Sequence, residues 1–298
     1  MLCIPCTLRA AYSIAKKATD DEETRKRAII KVLRWLNETA ENLTGITPAM
    51  LHTYAFKIVQ RVSGNDDPFM HLKEMSNILA IKIVSLLERE INGKGPIEAL
   101  KIAALGAICG NSIDFEVEGY YVPIGDLEKM LLNCLKCGLA IDETERLTRA
   151  LSKSRKVLYL LDNAGEIVFD KLFISVIIKN YSVKITAAVK SRPILNDATM
   201  KDALETGLHE VAEVITTGSD SIGLNLEETS SEFRKMLDEA DIIIAKGQGY
   251  YESLSEIETT LNKPIIYMLR AKCQVVAGSL NVPLGSNVIK FVGENLGG

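Results

Sequence analysis

Several apolar runs in the sequence end in acids, amides or lysines, at points where a chain leaving a β-strand has to turn. "YLLDNAGEIVFD" (159–170) sets Asp162 and Asn163 directly behind an apolar run, with Gly165 and Glu166 following. "VKSRPILNDATMKDA" (189–203) places Lys190 at the end of a second run, then Asn196 and Asp197. "AKGQGYYESL" (245–254) ends a further run with Lys246 and Gly247, then carries Gly249 and Glu252. Two more runs lead into "TTGSD" (216–220) and "RAKC" (270–273). Carboxylate and amide oxygens are hard ligands, suited to Mg²⁺ or Mn²⁺ held together with waters and a substrate phosphate. Lysines and helix N-termini suit the phosphate oxygens. The combination suits metal-assisted phosphoryl transfer, in which cations neutralise developing charge. Each stretch alone also reads as turn or capping chemistry. Polar groups at all of these run ends together favour a site.

The elements that must position these residues fall into two halves. Residues 1–153 read as helices almost throughout: the apolar spacing predicts helices over about 21–45, 47–64, 68–93 and 97–109, with shorter ones near 125–136 and 142–153. Thr47 is a natural N-cap, with Pro48 at the first helical position and Gly45 closing the preceding segment. From residue 154 short β-branched runs alternate with helical stretches: 156–162, 183–190, 213–218, 241–247, 264–269 and 287–292. Nearly continuous apolar runs separated by helices describe a parallel sheet covered on both faces. The expected fold class is therefore α/β: a helical domain over 1–153, then an α/β/α, Rossmann-like domain over 154–298 with a mainly parallel sheet. Open parallel sheets bind ligands at the carboxyl ends of their strands, which is where the polar residues gather.

Composition narrows the partners. Hydrophobic residues make up 47% and charged residues 25%, and the net charge is −4, so no electrostatic footprint for nucleic acid is present. An anionic substrate then needs a local cation or a metal. No apolar stretch reaches the length of a membrane span, and the N-terminus lacks the order of a signal peptide, which points to the cytoplasm. In that compartment the six cysteines are expected as thiols or metal ligands rather than structural disulfides. Cys3/Cys6 and Cys134/Cys137 form two C-x-x-C pairs that could share a zinc ion, but the second lies in a helical pattern where buried thiols are favoured. His52, His71 and His209 scatter on helical segments without ligand spacing.

"DNAGE", "VKSRPILNDATMKDA" and "AKGQGYYESL" resemble, in the expected order, the main motifs of the damage-control phosphatases, the family once labelled domain of unknown function 89. "CIPC" at 3–6 and "CGNSIDF" at 109–115 resemble the further signature of its stand-alone, mainly prokaryotic branch. The resemblance runs from residue 3 to about 273. It implies a metal-dependent phosphatase of small phosphorylated metabolites that uses one divalent ion (Mg²⁺, Mn²⁺, Co²⁺ or Ni²⁺). By motif, Asp162, Asn163 and Asp197 would be the metal ligands and Lys246 would hold the phosphate. Asn111 and Asp114 would reach the site from the helical half; Lys190, Gly247 and Glu252 would complete the substrate contacts. Asp162 would either attack phosphorus itself or, with Asp197, accept a proton from an attacking water. The sequence departs from the family at Tyr250, where relatives usually carry Asn. Two other readings are a nucleotide- or S-adenosylmethionine-binding transferase, against which the first strand lacks a G-x-G-x-x-G, and a zinc-stapled binding module without catalysis.

Overall fold

The computed structural model describes residues 3–40, 45–111, 116–117, 120–121 and 123–293. Its first part runs α1 (Cys3–Ala18), α2 (Glu22–Ala40), α3 (Pro48–Ser63), α4 (Met70–Ile91), α5 (Pro96–Gly110), an antiparallel pair β1 (Glu116–Val117) and β2 (Tyr120–Tyr121), α6 (Ile124–Cys137), β3 (Ile141–Asp142) and α7 (Thr144–Lys153). The second runs β4 (Lys156–Leu160), α8 (Glu166–Asn180), β5 (Lys184–Val189), α9 (Met200–Glu205), β6 (Glu213–Thr216) and α10 (Ser231–Glu239). It continues through β7 (Ile242–Lys246), α11 (Gly247–Leu254), α12 (Glu258–Leu261), β8 (Ile265–Arg270), α13 (Gln274–Leu280) and β9 (Asn287–Val292). The predicted start of α3 is present, with the Thr47 side chain accepting from the Met50 amide and Pro48 in the first turn; Gly64 closes the helix in the left-handed region. No described helix is long and apolar enough to cross a membrane.

Seven strands form one sheet in the order β3-β9-β8-β7-β4-β5-β6, and every neighbouring pair is parallel except β8 with β9. β9 runs back because the chain stays at the carboxyl end of β8, where Gly285 N donates to Ala271 O and Ala271 N donates to Ser286 O. From β4 the chain moves outward through β5 and β6, then returns to the other side of β4 as β7. That reversal opens a crevice at the carboxyl ends of β4 and β7, the usual ligand position in such sheets.

Two features of the first part depart from the all-helical expectation. β1 and β2 interrupt it, and β3 joins the main sheet beside β9. One buried cluster also draws from both sides of residue 153, uniting Leu100, Ala104 and Ile108 of α5 with Phe169 and Phe173 of α8 and Ile244 of β7. The α5–α8 approach is close: a Cβ on Gly110 would lie 2.6 Å from Phe169 Cδ2.

The cysteines also differ from expectation. Cys109 and Cys134 are joined in a disulfide, because packing of α6 against the end of α5 brings their Cα atoms to 5.7 Å. Cys134 is thus unavailable to a zinc pair, and Cys137 is an exposed free thiol. The two C-x-x-C pairs do not form a Cys₄ site, so the zinc-stapled reading loses its basis.

Candidate active site

Backbone hydrogen bonds lock two strand-end loops side by side. Ala198 N donates to Asp162 O at 2.8 Å, and Ala164 N donates to Asn196 O at 2.9 Å. Asn163 and Asp197 therefore stand opposite one another as an antiparallel bridge. The second loop reaches this position through Leu195, held at φ +46°, a left-handed conformation that costs a non-glycine residue energy and is found where surrounding structure imposes it. Asn163 Nδ2 donates to Asp162 Oδ2 at 2.9 Å, and Asn111, at the end of α5, donates to the same oxygen at 2.5 Å. Oδ1 of Asp162 takes no hydrogen bond from the described residues. The start of α11 closes the third side: Gly247 has φ +80°, and a Cβ there would fall 1.9 Å from Asp162 Oδ2. Only glycine permits that approach.

Two buried lysines sit beneath this arrangement. Lys246, at the end of β7, is 0% exposed, and its ammonium donates to Glu166 Oε1, to Asp170 Oδ1 at 2.8 Å and to Ala107 O at 3.2 Å. Tyr159 donates to the same Asp170 oxygen at 2.6 Å. Glu166 turns its other oxygen toward Asn163, whose Nδ2 donates to it at 3.2 Å. Lys190, at the end of β5, donates to Ser221 O at 2.7 Å and Gly223 O at 2.5 Å, and its ammonium is 3.6 Å from Asp197 Oδ2.

Lys190 pairs with Asp197, and Lys246 with Glu166 and Asp170, which leaves Asp162 outside any ion pair among the described residues. The carboxyls respond as crowded, desolvated acids do. Burial, then Glu166, then Asp197 push Asp162 well above the usual carboxylate range. Burial carries Asp197 to about 6 against the opposing pull of Lys190, and Asp170 to about 6 against that of Lys246. Burial works against the Lys246 ammonium, but Asp170 and Glu166 outweigh it and hold the lysine above its ordinary range. A divalent cation would relieve this crowding of acids, and two carboxylates with an adjacent amide fit it in donor type. Among the described residues no three His, Cys, Asp or Glu side chains surround one point, so such a set relies on the Asn163 amide and on water.

The family model of the damage-control phosphatase ARMT1-like domain matches residues 1–288. The chain belongs to this family. It is 40% identical over 289 residues to the uncharacterized protein MJ0202 of Methanocaldococcus jannaschii, covering 96% of this chain and 93% of that one. It is 38% identical over 293 residues to a damage-control phosphatase of Archaeoglobus fulgidus, covering 98% of each. The crystal structure of the DUF89 family protein PH1575 from Pyrococcus horikoshii superposes with a TM-score of 0.87 at 34% identity, covering 97% of both chains.

Among the positions singled out by their likeness to damage-control phosphatases, the fold gathers Asp162, Asn163, Asp197, Asn111, Lys190, Lys246 and Gly247. Asp114 lies outside the described residues. Lys246 points into the Glu166–Asp170 cluster rather than toward solvent. Glu252 stands apart, on a neighbouring cleft of about 470 Å³ that it lines with Cys3, Cys6, His52, Gln248 and Cys273. Its carboxylate accepts from Gln248 Nε2 at 2.8 Å, and burial pushes it up to about 7.

Sequence reasoning missed Tyr159 and Asp170 as parts of the support. The signal was present: Glu166 and Asp170 lie four residues apart on an otherwise apolar helix, and so face the same way. It also missed Asn77 of α4, which accepts from Gly165 N at 2.7 Å and donates to Asp202 at 2.9 Å, bracing the turn after β4 and the capping box of α9 together. An asparagine inside a helix carries no comparable local mark.

Proposed function

We propose that this protein is a metal-dependent phosphatase that hydrolyses phosphate monoesters of small metabolites, with one divalent cation held by Asp162, Asn163 and Asp197. The observation that carries the reading is the meeting of Asp162, Asn163 and Asp197 at the strand ends beside the β4–β7 crevice, with Asp162 outside any ion pair among the described residues. Damage-control phosphatase is also the name borne by the relative from Archaeoglobus fulgidus and by PH1575. When bound, the cation supplies Lewis-acid polarisation of the phosphoryl group and of water.

The chain's own residues supply position and charge. Asn111 and Asn163 grip Asp162 Oδ2, leaving Oδ1 to face the ligand. The amino end of α11 presents backbone N–H groups beside Asp162, where an anion is favoured. Lys190 steadies Asp197 from beneath, and Lys246 steadies Glu166, which in turn holds Asn163. Asp162 then serves as nucleophile or as proton acceptor for water, and trapping of an aspartyl-phosphate in acid-quenched turnover separates the two.

The direct test is hydrolysis of p-nitrophenyl phosphate and a panel of phosphometabolites with Mg²⁺, Mn²⁺, Co²⁺ or Ni²⁺. Turnover that requires metal and falls about 1000-fold or more in Asp162→Ala is expected. Turnover unchanged by chelation, or equal in Asp162→Ala, would sink the reading.

A further inference from the structure

Tyr250 is the fourth residue of α11. Its side chain is 0% exposed and belongs to the buried cluster with Leu158, Leu160 and Leu254. The ring lies against the Lys190 ammonium, 4.4 Å from its centroid, and Lys190 is itself held by Ser221 O, Gly223 O and Asp197. The ring is therefore clamped and its hydroxyl has a fixed direction. That hydroxyl finds no acceptor for its proton among the described residues; the Lys190 ammonium, its polar neighbour, can only donate. A buried O–H with no acceptor is destabilising, and native structures retain one where something else supplies the acceptor. Lys190, Asp197 and Asp162 all act on it electrostatically, so it lies near the carboxylate pair. A phenol is protonated at neutral pH and carries a proton to donate. What it lacks is an oxygen acceptor.

We propose that Tyr250 is a ligand-contacting residue of this site, its hydroxyl donating a hydrogen bond to an oxygen of the bound phosphate. The proposal rests on the phosphatase reading for the identity of the ligand. A phenol reaches further than an amide and offers one donor where Asn offers two donors and an acceptor. The Lys190 ammonium, stacked on the ring, then positions both the phenol and Asp197.

Inorganic phosphate is titrated into the Mn²⁺-loaded wild type and into Tyr250→Phe, with thermal midpoint and inhibition of p-nitrophenyl phosphate hydrolysis as readouts. The variant keeps the ring and its contact with Lys190, and without phosphate it should melt at or above the wild-type temperature, since only a hydroxyl without an acceptor is removed. Its phosphate affinity should fall about 10- to 100-fold, with kcat/KM falling in parallel. The Mn²⁺ activation midpoint should stay within about 2-fold, because no metal ligand is touched. Equal phosphate affinity in the two proteins would overturn the proposal, as would a wild type whose melting phosphate does not shift. A wild type that binds phosphate yet hydrolyses no ester would retire the phosphatase reading alone, and weaker phosphate binding by Tyr250→Phe would still support the contact.

Discussion

Burial is what raises the Glu252 carboxyl, against the single hydrogen bond that lowers it. One amide, Gln248 Nε2, reaches it, and its carboxyl is pushed up to about 7. The folded protein therefore holds this proton more tightly than the unfolded chain does. Stability from that proton is fully present below the unfolded value and is lost as pH rises through the folded one. Glu252→Gln removes the titrating group, so the melting temperature of the variant should gain on the wild type between pH about 5 and pH about 8. A gap independent of pH across thermal scans would contradict the assignment. Lys246 and Lys190 show the opposite resolution of the same problem. Each is buried as a cation because acids or carbonyls surround it, and neither reaches solvent in the structure.

At the scale of elements, the site is a meeting of ends. β4, β5 and β7 deliver their carboxyl termini, α5 brings Asn111, and α11 begins so close to Asp162 that its first residue has to be glycine. Gly247→Ala combines a left-handed backbone at φ +80° with a Cβ 1.9 Å from Asp162 Oδ2. The expected result is a loss of about 1–3 kcal/mol in stability, together with a rise of about 10-fold or more in the metal concentration needed for half-maximal activity. Urea denaturation and metal titration read the two effects separately. A variant with wild-type metal response would show that α11 can withdraw without disturbing Asp162.

For the molecule as a whole, the disulfide and the shared core decide how firmly the first part is held against the sheet. The Cys109–Cys134 bond closes a loop with a sequence separation of 25 and ends two residues before Asn111. Its removal in Cys109→Ala should cost about 3 kcal/mol, lowering the melting temperature by about 5 to 10 °C. Reductant should lower the wild type by a similar amount and leave the variant unchanged. Thermal scans with and without dithiothreitol make the comparison, and a reductant-insensitive wild type would show the bond to be absent or without effect.

Local patterns carried the helices, the strand positions and the placement of Asp162, Asn163 and Asp197 after strands, because periodicity, caps and turn residues act over a few positions. Thr47, Pro48 and the β4–α8 turn were legible for that reason. The antiparallel course of β9, the addition of β3 to the sheet and the Cys109–Cys134 bond were not, since each depends on which distant segments pack together. The same holds for the direction of long side chains. Lys246 meets Glu166 and Asp170 across 80 and 76 residues of sequence, and the low dielectric of the interior makes that pairing decisive. The sequence alone determined which residue types arrive at the strand ends. Tertiary burial decided which charges are paired there and left Asp162 outside any ion pair among the described residues.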